Sequence, residues 1–120
     1  MATTGKEVVK TVDELTRFIG ELEFADVPSD VIPIVERAFV DTVGVTLAGA
    51  ETTAGEIAAG VMGSAGQATV FGRKESAPIT AAPLINGTAS HALDFDDYSF
   101  IPIHPSAPVI PAIFAISDVE

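Results

Sequence analysis

Between Ser76 and Ser117 the chain carries no cation at all, and only Asp94, Asp96 and Asp97 are ionised in those 42 residues. A stretch so poor in charge must be buried or covered, because it has too few polar side chains to make a solvated face. The three carboxylates inside it therefore require solvent, a hydrogen-bonding partner, a metal or a function, since burying an unpaired carboxylate costs several kcal/mol. Basic residues end at Lys74.

The rest of the 120 residues sharpens the contrast. Six Lys and Arg against 17 Asp and Glu give a net charge of −11, which excludes a nucleic-acid binder dependent on a basic stripe. Hydrophobic residues make up 48%, which excludes an acidic disordered tail. With no Cys there is no disulfide framework, thiol nucleophile or thiolate zinc site. MATTGKEVVK is not followed by an apolar h-region, so the reading is a cytoplasmic protein without a signal peptide. Tyr98–Ser117 is long enough to span a bilayer, but Pro102, Pro105, Pro108 and Pro111 argue for a buried protein helix.

Periodicity predicts a mainly α fold with at most one short strand near 67–72. Thr11 with Glu14 reads as a capping box opening an amphipathic helix over 12–23, with Val12, Leu15, Ile19 and Leu22 on one face. A second helix, apolar nearly all round, runs from the first turn around Pro33 to Ala48, with Gly49 as its C-terminal stop. A third spans Thr53–Met62. A fourth runs from Pro78 to about Leu93, interrupted at Pro83, and a last one from His104-Pro105-Ser106 through Val119. Asp94–Pro102 is a loop, in which Asp96 and Asp97 read as residues that are solvated or cap the next element. Residues 1–120 are expected to form one partial domain, with 1–10 flexible.

Asn86-Gly87-Thr88-Ala89-Ser90-His91-Ala92-Leu93-Asp94-Phe95-Asp96-Asp97, followed six residues later by His104-Pro105-Ser106, resembles the signature of the MmgE/PrpD family. Asp41-Thr42-Val43-Gly44, Leu47-Ala48-Gly49 and Ala68-Thr69-Val70-Phe71-Gly72 extend the likeness upstream. It implies the N-terminal portion of a large helical domain. It also implies a homodimeric lyase that acts on di- and tricarboxylic acids with no cofactor and no metal.

Carried over by motif, Asp94 and His104 are the expected catalytic residues, with Tyr98, Ser106 and His91 as expected substrate contacts. Tyr98 stands where decarboxylating members carry Thr, which speaks against a cis-aconitate decarboxylase and leaves the substrate open. The activity the resemblance implies is that of a hydro-lyase of the 2-methylcitrate dehydratase type. His91 also reads as a satisfied core histidine. The residues suit such chemistry: dehydration removes a carbon-bound proton and protonates a leaving hydroxyl, work for a carboxylate and an imidazole. The His-Pro-Ser helix start adds backbone donors for an anion.

A tricarboxylate also needs Arg or Lys, and none follows Lys74. The chain is thus expected to be inactive alone and to depend on a missing C-terminal part or a partner chain. The competing readings are a non-catalytic helical interaction module, a Mg²⁺ or Mn²⁺ site on Asp94, Asp96, Asp97 and His104, and a polyproline segment built on the prolines spaced every third residue from Pro102.

Overall fold

The computed structural model describes residues 5–63, 65–100 and 103–120. These form five α-helices: α1 (Gly5–Glu21), α2 (Ile32–Gly49), α3 (Thr53–Met62), α4 (Ala82–His91) and α5 (Ser106–Ser117), plus a 3₁₀ turn at Phe24–Asp26. The chain divides into two compact units, Met1–Pro33 and Ile34–Glu120. Among the described residues the only β pairing is an isolated antiparallel bridge between Ala68 and Ala77, so the extended link near 67–72 does not become a strand.

The first unit is dominated by α1, which begins at Gly5 rather than after Thr11. Thr11 therefore lies inside the helix instead of capping it. Nothing in Lys6-Glu7-Val8-Val9-Lys10 breaks a helix, and Val9 extends the stripe of Val12, Leu15, Ile19 and Leu22 by one turn. All five side chains are exposed. Lys10–Glu14 (3.6 Å) and Arg17–Glu21 (3.8 Å) are exposed i,i+4 pairs, each contributing a few tenths of a kcal/mol. The expected flexible lead at 1–10 falls partly outside the described residues, and Gly5–Lys10 belong to α1.

In the second unit α2 departs from the expectation of burial all round. It buries Thr42, Thr46 and Gly49, and leaves Val40 and Leu47 exposed. The covered face is the one made of small residues, because only these let another backbone come close. Thr46 satisfies its hydroxyl by donating to Thr42 O (2.6 Å). Gly49 is no left-handed stop either; the positive-φ glycines are Gly63 and Gly72. A Cβ at Gly49 would run into the backbone carbonyl of Ala89 on α4. The Gly49→Ala substitution is accordingly expected to destabilise the second unit by about 1–3 kcal/mol through overpacking, read as a lower urea midpoint with unchanged m-value.

Thr52 caps α3, accepting from Gly55 N (3.2 Å) while donating to Gly49 O (2.7 Å). Helix α4 starts at Ala82, so Pro83 sits in its first turn, where no intrahelical N–H is needed, rather than interrupting it. The core gathers Ala68, Val70, Ala77, Ala81, Ala82, Ile85 and Ala115. Beside it, Phe114 packs edge-on against both Phe39 and Phe71, with centroids 5.4 and 5.1 Å apart.

Asn86, only 1% exposed, ties α4 to the extended link. Its Oδ1 accepts from Phe71 N (3.0 Å) and its Nδ2 donates to Thr69 O (2.9 Å). Asp118 anchors the same link to the end of α5 by accepting from Thr69 N (2.6 Å). Those Thr69 hydrogen bonds hold the Asp118 carboxyl below its ordinary value.

Helix α5 overturns the polyproline reading: Pro108 lies in its first turn and Pro111 inside it. Pro111 cannot donate to Ala107 O, four residues earlier. That carbonyl faces Gly87 of α4, where a Cβ would lie 2.9 Å from it. Among the described residues no helix is long and apolar enough to cross a membrane.

Candidate active site

The site is built by the way α4 ends. After His91 the chain makes a turn closed by Asp94 N donating to His91 O (3.1 Å), and Asp94 itself takes a left-handed φ of 56°. Asp tolerates this conformation better than most residues. The reversal carries Phe95 outward and brings Asp96 back beneath His91. Ser99 N then donates to Ile103 O (3.1 Å), which delivers His104 to the start of α5.

Four side chains converge there. His91 Nδ1 lies 3.1 Å from both carboxylate oxygens of Asp96. His104 Nδ1 is 3.3 Å from Asp96 Oδ1, and His104 Nε2 is 3.6 Å from Asp94 Oδ1. The two imidazoles meet edge-on, centroids 4.5 Å apart. Burial separates the carboxylates: the Asp96 side chain is 1% exposed, that of Asp94 80%. The three-carboxylate cluster thus resolves into three environments. Asp94 is left to solvent and His104, Asp96 is buried between two histidines, and Asp97 accepts from Ser106 N (3.1 Å) and Ser106 Oγ (2.6 Å). Asp97 is the remote cap of α5, whose own N-cap position, Pro105, makes no side-chain cap.

Of the residues expected from sequence, Asp94, His104 and His91 come together. The exposed Tyr98 ring stands 6.0 Å from the His104 ring, within reach of the same space. Ser106 is buried and turned to Asp97. Asp96, expected to be solvated or to cap the next element and otherwise named only as a candidate metal ligand, is instead buried against His91 and His104, because the turn at Asp94 folds it back under α4.

A cleft of about 840 Å³ opens beside the cluster. Its walls are mostly apolar, from Ala54 on α3, Leu84 and Gly87 on α4, and Ala107 and Pro108 on α5, and His91 and His104 belong to the lining. An apolar cleft with a few convergent polar groups is the usual form of a small-molecule site. Arg73, one of the two cations of residues 61–120, is engaged elsewhere, with Glu56 (2.9 Å) and Ala50 O (3.2 Å).

His91, Asp94, Asp96 and His104 also offer one ligand atom each within 4.8 Å of one another. A mixed nitrogen and oxygen set of this kind suits zinc or a neighbouring divalent ion.

Residues 13–120 match the MmgE/PrpD N-terminal domain. The chain belongs to the MmgE/PrpD family. Among curated relatives, the cis-aconitate decarboxylase-like protein oryM of Aspergillus oryzae is 30% identical over 111 residues, covering 89% of this chain and 23% of that protein. Human cis-aconitate decarboxylase is 32% identical over 104 residues, covering 83% of this chain and 22% of the enzyme. The mouse enzyme is 43% identical over 51 residues, covering 42% of this chain and 10% of its own length. The chain therefore spans less than a quarter of the length of these relatives. No solved structure matches it significantly. Family membership makes the helical architecture that of the family's N-terminal domain.

Proposed function

We propose that this MmgE/PrpD segment carries the proton-transfer pair of a cofactor-independent lyase for di- or tricarboxylic acids, acting as a hydro-lyase of the 2-methylcitrate dehydratase type. The observation that carries the reading is His104, which lines the apolar cleft and holds its Nε2 3.6 Å from the exposed Asp94 carboxylate. In dehydration one of the pair accepts the carbon-bound proton. The other, which must enter the step in its protonated form, delivers that proton to the departing hydroxyl, which leaves as water while the carbon–carbon double bond forms. The start of α5, expected from sequence to offer donors to an anion, is taken instead by Asp97, which accepts from Ser106 N, and Pro108 has no N–H to add.

Cations for the remaining carboxylates must come from outside this segment. Many large hydrophobic side chains of the second unit lie exposed, Val40, Val61 and Phe100 among them. Such surfaces suit burial by further polypeptide or by a second subunit of a homodimer. The 120-residue chain is expected to show no lyase activity by itself.

Decarboxylation is the second reading, favoured by the names of the curated relatives. It differs by losing carbon dioxide and placing a proton on carbon. A full-length protein carrying this segment, assayed with 2-methylcitrate and with cis-aconitate, separates the two. Water loss from the first without gas release supports the hydro-lyase, and carbon dioxide from the second supports the decarboxylase. Inertness toward both removes the lyase reading. The activity is expected to survive chelator, and its loss with recovery on adding a divalent metal would move the reading to the metal site.

A further inference from the structure

Asp96 is the most constrained group of the cluster. Its carboxylate is almost fully buried in a stretch without Lys or Arg, so hydrogen bonds must take the place of a counter-cation. The ring nitrogens that face it are both Nδ1 atoms. His91 Nδ1 reaches both oxygens at 3.1 Å. His104 Nδ1 is itself buried, and the nearest oxygen lies 3.3 Å away but off the N–H direction, so no hydrogen bond closes in this arrangement. A bare lone pair on either Nδ1 would face a carboxylate and be repelled; an N–H would be attracted.

We propose that Asp96 is a positioning residue that fixes His104 as its Nδ1–H tautomer. The Nε2 lone pair then lies on the side of Asp94. That carboxylate, 80% exposed and 3.6 Å away, is screened by water and opposes this tautomer less than the buried Asp96 favours it. His91 clamps Asp96 in place. Neutral His104 consequently accepts a proton at Nε2 rather than donating one from it, and the imidazolium so formed keeps Asp96 as its buried counter-charge. An imidazole whose second nitrogen is held by a carboxylate has its tautomer and orientation set by that partner. The inference rests on the reading of His104 as the proton-exchanging group.

The chain has two histidines, so long-range proton–nitrogen spectra of the ¹⁵N-labelled 120-residue protein, at a pH where both are neutral, report each tautomer separately. The expected result is Nδ1 in its protonated form and Nε2 in its bare form for His104. Asp96→Asn is expected to shift His104 toward the Nε2–H form, and His91→Gln to leave the His104 pattern in place. An Nε2–H His104 in the parent protein, or an unchanged pattern in a folded Asp96→Asn variant, overturns the proposal. Should Asp96→Asn fail to fold, the parent pattern decides. The tautomer is read without turnover, so failure of the lyase reading shows separately, in assays of the full-length protein.

Discussion

Replacing His104 by alanine in a full-length protein carrying this segment is expected to lower kcat by about 10²–10⁴-fold, the usual contribution of a positioned acid or base. That range corresponds to roughly 3–5 kcal/mol of barrier. The loss should fall on kcat more than on KM, because His104 lines the cleft with Nε2 beside Asp94 and acts where charge changes hands. Three-quarters of the His104 side chain is buried, so folding of the variant is checked by its circular dichroism and melting curve. Tyr98 makes a useful contrast. Its ring is exposed and 6.0 Å from His104, so Tyr98→Phe bears on substrate preference with a smaller change in kcat. Near-normal kcat in a folded His104→Ala variant would remove His104 from the chemistry and leave the cluster a structural device that ties α4 to α5.

Much of this was legible in the sequence, where local chemistry decides the outcome. The helix read over Thr53–Met62 forms with those bounds as α3, and Thr52 caps it by accepting from Gly55 N. The helix after His104 forms despite four nearby prolines, because the early ones occupy positions that need no N–H. The same proline rule misleads at Pro83. Periodicity extends the pattern back to Pro78, whereas the helix starts at Ala82 and makes Pro83 a first-turn residue. Gly49 and Asp96 were out of reach for a different reason, since their roles depend on what lies opposite them in space. A glycine before a turn reads as a stop until Ala89 is seen against it. A carboxylate in Asp94-Phe95-Asp96-Asp97 reads as a loop residue until the left-handed Asp94 folds it under His91. Motif resemblance located Asp94 and His104, but spacing alone did not show that a buried carboxylate stands between the histidines.

The second large effect is expected at Asn86, the polar side chain on which α4 and the extended link both depend. Asn86→Asp changes one atom and keeps the volume, so packing around it is preserved. The acceptor toward Phe71 N survives, but the donor toward Thr69 O becomes a second carboxylate oxygen facing a carbonyl. At neutral pH this leaves a charge in a site that is 1% exposed. Uncompensated buried charges cost about 3–5 kcal/mol, a large share of the stability of a domain this size. Acidification reverses the effect. The protonated acid again offers one acceptor and one donor, the pattern of the amide it replaces. Burial raises the folded-state pKa of the new carboxyl above its unfolded value. The deficit relative to the parent is therefore small below the ordinary carboxylate range and grows as pH rises through the raised value. Urea unfolding of parent and variant, compared at matched pH from about 4 to 7, measures the difference directly. The expected outcome is a gap that widens with pH, whereas a constant gap would mean that water reaches Asn86 and that the α4–link junction is held by packing instead.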